Sequence, residues 1–114
     1  MSVKITTRQV GDVSVMDASG RITLGEGASS FRETLRELVS KGNKKLLLNL
    51  ADVSYIDSSG IGELVSGFTT VTNQQGQLKL LNLTKRVRDL LQITKLYTVF
   101  EVFDDETAAV RSFS

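Results

Sequence analysis

The chain has 114 residues, 40% hydrophobic and 24% charged, with 14 basic against 13 acidic side chains and a net charge of +1. That length fits one domain, 1–114, able to bury a core without staples, and the charge balance argues against nonspecific attraction to nucleic acid or an anionic membrane. Histidine and cysteine are absent, which removes Ser–His–Asp hydrolysis, cysteine nucleophiles, disulfides and ordinary zinc sites.

The N-terminal "MSVKITTRQV" has no long apolar core and does not read as a signal peptide. Val3, Ile5 and Thr7 alternate with polar residues as a half-buried strand does. Gly11-Asp12 suits the centre of a type II′ hairpin turn, and Val13 and Val15 open a second strand running to about Ile22, with Gly20 inside it or at a bulge. "LGEGASSF" reads as a loop. Ser30 and Glu33 form a capping-box pattern for a helix whose Phe31, Leu35, Leu38 and Val39 share a face. Glu37 and Lys41 add an i,i+4 pair, and Gly42 stands where a left-handed cap belongs.

"KKLLLNL" is a near-continuous apolar run, the pattern of a strand buried on both faces, with Lys44 and Lys45 flanking it against aggregation. Asp52 to Ile56 then leads out of that strand. Ile61, Leu64, Val65, Phe68 and Val71 mark a second helix ending near Gly76, and "QLKLLNL" is another buried strand. Thr84 can cap a third helix with Val87, Leu90 and Leu91 inward; its Lys85, Arg86 and Arg88 read as a solvated face. "TVFEVF" predicts a last strand in which Phe100 and Phe103 are sheet core or helix cover. Asp104 or Asp105 caps a C-terminal helix carrying Val110 and Phe113 on one side. The order β-β-α-β-α-β-α-β-α predicts an α/β fold: a mixed, mostly parallel central sheet opened by an antiparallel hairpin, with about four helices.

The chemistry concentrates at "YIDSSGIGEL". In such a sheet, ligands and partners meet the loops beyond the carboxyl ends of the strands. Asp57-Ser58-Ser59-Gly60 leaves an extended segment and enters a helix. The bland reading is a helix start, because Asp, Ser and Gly are all favoured N-caps. Yet one cap needs one oxygen, and three occur in a row. Gly60 and Gly62 are each unfavourable in a helix by about 1 kcal/mol relative to alanine, and they open the first turn to close approach. A small hydroxylated turn beside Ile61 and Leu64 reads as a docking surface and a kinase target. A phosphoryl group there adds about −1.5 to −2 charges, which a helix N-terminus tolerates. The effect of modification falls on the docked partner, not on the fold.

"NLADVSYIDSSGIGELV", with "KKLLLNL", "GQLKLLNLTKRVRDLLQITKL" and "VFEVFDDETAAV", closely resembles STAS domains, in particular the bacterial anti-sigma factor antagonists. The resemblance covers essentially the whole chain. It implies the STAS fold and a cytoplasmic, non-enzymatic binding protein, monomeric or weakly dimeric, with no cofactor and no membrane insertion. The implied partner is an anti-sigma factor that is also a serine kinase and holds the ATP. Binding it frees a sigma factor. Phosphorylation falls on the first serine of the motif, Ser58, and releases the antagonist; a serine phosphatase restores it. Asp57, Ser59, Gly60, Ile61 and Gly62 form the implied docking corner. One segment departs from the pattern: many antagonists carry an acid soon after the glycine ending the second strand, whereas here the chain reads Gly20-Arg21-Ile22-Thr23, with Glu26 as the nearest acid able to compensate.

Two other roles compete. A STAS domain can serve as a stressosome-type scaffold or as the regulatory partner of a lipid transporter, without sigma-factor control. A receiver-like domain phosphorylated on Asp57 is a third reading, but Asp12 and Asp17 are not arranged as the paired acids that a receiver needs for magnesium. "GNKK" is not a P-loop, and no closely spaced carboxylate cluster suggests a metal.

Overall fold

A computed structural model describes residues 3–113. Five strands form one sheet in the order β1 (Val3–Val10), β2 (Val13–Ile22), β3 (Lys45–Ile56), β4 (Gln77–Leu81) and β5 (Val102–Phe103). β1 pairs antiparallel with β2, and all later neighbours are parallel. The helices are α1 (Glu26–Ser40), α2 (Ser58–Asn73), α3 (Lys85–Ile93) and α4 (Glu106–Ser112). The hairpin, the mostly parallel sheet and the four helices match the order read from sequence.

The apolar run of β3 shows why this strand lies at the centre. Leu46, Leu48 and Leu50 face α1, α2 and α3 in the larger core, while Leu47 faces the opposite side with Val13, Val15, Leu81 and α4's Ala109 and Phe113. Alternation along one strand thus feeds two cores. α4 is tied down at both ends. The Arg8 guanidinium bridges Asp17 of β2 at 2.6 Å and Glu106 of α4 at 3.0 Å. The buried Lys79 ammonium donates to the Ser112 carbonyl at 3.0 Å, pairs with Glu101 at 3.1 Å and lies 4.8 Å from the Phe113 ring centre.

The hairpin turn has Gly11 at φ 63° between the paired residues Val10 and Val13, and Asp12 reaches Lys45 at 2.7 Å. The β2–β3 register shifts between Asp17 and Ser19 and between Gly20 and Arg21, with the extra residue on β3 each time, so Gly20 lies inside β2 beside a bulge of its neighbour.

Several local expectations are corrected. The Ser30–Glu33 capping box does not form, because α1 begins at Glu26 after Gly25 (φ 94°) and Ser30 lies inside the helix. The turn before it starts it: the Ala28 N–H donates to the Thr23 carbonyl at 2.9 Å, and a Cβ on Gly27 would stand 2.7 Å from the Arg21 carbonyl oxygen. Glu37 and Lys41 make no ion pair: α1 ends at Ser40, with Lys41 as its C-cap. β3 continues through Asp52–Ile56 instead of ending before it, because β2 supplies a paired neighbour up to Ile22. "TVFEVF" contributes only Val102–Phe103 to the ladder. Lys95 at φ 62° and a 3-10 turn over Leu96–Thr98 divert the rest and turn Phe100 into the larger core, edge-on to Phe68 at 5.4 Å. Of the two candidate caps for α4, it is Asp105 that serves, as expected of one of the pair, accepting from the Ala108 N–H at 2.9 Å.

The two long helices end in the same way. Gly42 at φ 91° closes α1, with the Asn43 N–H reaching the Leu38 carbonyl at 3.0 Å and the Gly42 N–H reaching that of Val39 at 3.0 Å, a Schellman pair. α2 closes identically through Gly76 to Val71 at 2.8 Å and Gln75 to Thr72 at 2.9 Å, but the left-handed position holds Gln75 (φ 65°). Gly76 is needed one place later for space: a Cβ there would lie 2.6 Å from the Lys44 carbonyl oxygen. A non-glycine residue in left-handed backbone carries strain. Gln75→Gly is therefore expected to raise the unfolding free energy by about 0.5–1 kcal/mol, read as a higher denaturation midpoint with an unchanged slope.

Candidate functional site

The carboxyl ends of β2 and β3 lie side by side, with Arg21 opposite Tyr55 and Ile22 opposite Ile56 in register. At that edge β3 turns into α2. The Asp57 N–H donates to the Ile22 carbonyl at 3.3 Å. One Asp57 carboxylate oxygen, Oδ1, accepts from the Gly60 N–H at 2.8 Å and caps α2; the other, Oδ2, accepts from the Leu24 N–H at 3.0 Å and fixes the loop between β2 and α1. These two backbone donors, Leu24 foremost and Gly60 next, hold the carboxyl below its ordinary range.

Gly60 and Gly62 divide the work expected of both. Gly60 is buried, and a Cβ there would lie 2.2 Å from the Ile22 carbonyl oxygen and 2.6 Å from Ile56 Cγ1. It is a packing requirement, because α2 presses its first turn on the end of β2. Gly62 is exposed, and a Cβ there would meet nothing within 4 Å. Ile61 and Leu64 are buried in the larger core, at 7% and 0% exposure, so neither side chain forms the surface of the corner.

Ser58 is the first residue of α2 and is exposed; Ser59 is half-buried. Because Asp57 supplies the cap, neither hydroxyl is committed to one, and neither makes a hydrogen bond within the fold among the described residues. Thus of the six residues singled out in sequence, Asp57, Ser58, Ser59 and Gly62 are at least partly exposed, while Gly60 and Ile61 shape the turn from beneath. Leu24 was missed. It is 78% exposed at the loop that Asp57 holds, the largest exposure among the big apolar side chains of the described residues. Its signal in sequence is an aliphatic residue between polar and glycine positions in "ITLGEG".

A second feature lies beside the corner. Arg21 and Arg86 both stack on Tyr55, at 5.0 Å and 4.6 Å from guanidinium carbon to ring centre. Lys85, Arg86 and Arg88 are all exposed, as a solvated helix face requires, but their partners differ. Lys85 pairs with Asp89 at 2.9 Å and Arg88 with Asp104 at 3.5 Å, but Arg86 turns onto β3. Thr84 sets its position: the Thr84 hydroxyl donates to the Val53 carbonyl at 3.2 Å while accepting from the Val87 N–H at 3.4 Å. Glu26, the acid that could replace the one missing at Thr23, is exposed in the first turn of α1 and forms no ion pair among the described residues.

Among the described residues no cluster of three or more acids could hold a metal, and no helix is long and apolar enough to cross a membrane.

The STAS domain family model matches residues 4–109. The chain is 34% identical over 102 residues to the anti-sigma-B factor antagonist of Bacillus subtilis, covering 90% of this chain and 92% of the relative. In three dimensions it resembles an anti-sigma factor antagonist from Mycobacterium paratuberculosis, with a TM-score of 0.87 at 19% identity over 98% of this chain and 94% of that one. It also resembles the Bacillus cell fate determinant SpoIIAA in its phosphorylated form, with a TM-score of 0.74 at 19% identity over 95% and 97%. At these identities the structural matches speak to the fold.

The two glycines should separate in experiment. Gly60→Ala is expected to destabilise the fold by about 2 kcal/mol or more through the clash with Ile22, whereas Gly62→Ala should stabilise it by up to about 1 kcal/mol; denaturant titration of both variants checks the opposite signs. Asp57 gives a pH signature. Its folded carboxyl titrates below the ordinary value, so its stabilisation is complete above about pH 4 and is lost as pH falls through the folded value. Asp57→Asn should accordingly be less stable than wild type at neutral pH, with the difference closing in acid; thermal melts across that range would show it.

Proposed function

The chain belongs to the STAS domain family, and from that premise we propose that it is an anti-sigma factor antagonist switched by phosphorylation of Ser58. The partner is an anti-sigma factor with serine kinase activity. Docking of the antagonist displaces the sigma factor, and transfer of the γ-phosphoryl group of the kinase-bound ATP to the Ser58 oxygen ends the complex. In that transfer the Ser58 O–H proton passes to a base on the kinase and ADP leaves; the antagonist supplies the acceptor and no catalytic group. A serine phosphatase hydrolyses the ester and resets the switch.

The observation that carries this reading is the division of labour between adjacent residues. Asp57 caps α2 and ties down the neighbouring loop, and Ser58 stands exposed with its hydroxyl uncommitted. Esterifying that oxygen breaks no bond of the fold. It adds about −1.5 to −2 charges next to the free N–H groups of a helix start, where an anion is stabilised. The same charge and bulk sit where a partner would close over Leu24, Ser58 and Gly62. Ser59 and Asp57 border that surface, and the buried Gly60 and Ile61 hold the turn in shape. A small surface switched without unfolding suits reversible exchange between partners.

The test is a pull-down from native cell extract with wild type, Ser58→Ala and Ser58→Asp as baits, followed by mass spectrometry. Wild type and Ser58→Ala should retain an ATP-binding kinase; Ser58→Asp should lose it while keeping the wild-type circular dichroism spectrum. Equal retention by all three would remove the switch. Incubation of the purified pair with ATP should place phosphate on Ser58 of the wild type, and detection on Ser59 alone would reassign the site.

A further inference from the structure

We propose that the Arg21–Tyr55–Arg86 stack is a second docking element, built to receive carboxylates of the same kinase partner; this rests on the antagonist reading above. Arg21 and Arg86 are exposed, on different elements, and converge on one half-buried ring. Neither forms an ion pair among the described residues; Arg36 and Arg111 are unpaired too, but of the described arginines only Arg21 and Arg86 lie over a ring. A guanidinium stacked on a ring keeps its planar N–H edge free, and that edge matches a carboxylate in bidentate geometry. The ring also restricts two long side chains in advance, so less freedom is lost when a ligand binds.

Bringing two like charges to one ring is unfavourable on its own, and an acidic ligand relieves that repulsion. Asp89, one helical turn on from Arg86, is already paired with Lys85, and Asp57 already accepts from Leu24 and Gly60. The position suits a partner seated on the corner. Arg21 precedes Ile22, whose carbonyl receives the Asp57 N–H, and Tyr55 lies three residues before Ser58. Alternation places Tyr55 on the sheet face opposite Ile56, which packs against the helices. A partner that covers Leu24 and Ser58 at the strand ends and reaches over that edge meets the two guanidiniums. Nucleic acid is the poorer candidate, because the chain as a whole carries only +1 and phosphodiester binding relies on many cations.

The experiment measures the affinity of the purified kinase recovered by the wild-type bait for wild type, Arg21→Glu, Arg86→Glu, Tyr55→Ala and Lys41→Glu. Lys41, at the far end of α1, controls for net charge. Each arginine reversal should weaken binding about tenfold or more, with unchanged melting temperatures. Tyr55→Ala should weaken it less, Lys41→Glu should not, and added salt should erode the difference. Reversal of an acidic residue on the kinase to lysine should restore binding to Arg21→Glu or Arg86→Glu. Wild-type affinity in both arginine variants, beside lost affinity in Ser58→Asp, overturns this proposal and leaves the antagonist reading intact. Impairment confined to the Ser58-phosphorylated form assigns the pair to a phosphate and overturns it as well. Failure of the wild type to retain any kinase overturns both.

Discussion

Two backbone carbonyls at the end of one strand set the shape of this molecule's working edge. The Arg21 oxygen stands too close to admit a Cβ on Gly27, and the Ile22 oxygen too close to admit one on Gly60. α1 and α2 therefore both start in contact with the last residues of β2, separated from it by no side chain. Backbone against backbone is the closest approach available to a helix, and only glycine permits it. The loop at Leu24, the turn at Ser58 and Arg21 take their positions from that contact, since each is within a few residues of it.

The same closeness explains why Asp57 is the hinge of the corner. Its N–H, its Oδ1 and its Oδ2 reach three different segments: the end of β2, the first turn of α2 and the loop before α1. A serine at that position could satisfy one orphan N–H but not two on opposite sides. With the structural duties gathered in one carboxylate, the next two hydroxyls are left over. Their availability follows from what their neighbour does, and a chemical change at Ser58 can alter a surface without loosening a helix.

The opposite face of the sheet follows a different rule. There the short α4 is held through charge as well as apolar contact, by the Arg8 bridge to Asp17 and Glu106 and by the buried Lys79 beneath Ser112, Phe103 and Phe113. A seven-residue helix has little propensity to persist alone, so these anchors and the burial of Ala109 and Phe113 keep the second core closed. The rigid sheet beneath the corner is thus packed on both sides while its strand ends remain open.

Element type, element order and the identity of the corner were legible in sequence, because they follow from local patterns: alternation in β1 and β2, the apolar run of β3, helical spacing from Ile61 to Val71, and an Asp-Ser-Ser-Gly turn between strand and helix. Gly42 was legible as a cap for the same reason. What tertiary structure decided is everything that depends on a neighbour distant in the chain. "TVFEVF" gives up most of its strand as Phe100 enters the core beside Phe68; Gly60 is structural and Gly62 is not, although both weaken a helix equally. Leu24 stays outside and the exposed Arg86 lies over Tyr55 for the same cause. Spacing along a chain specifies which faces are apolar, but only the packed sheet specifies which backbone atoms lie near enough to exclude a side chain or to use one.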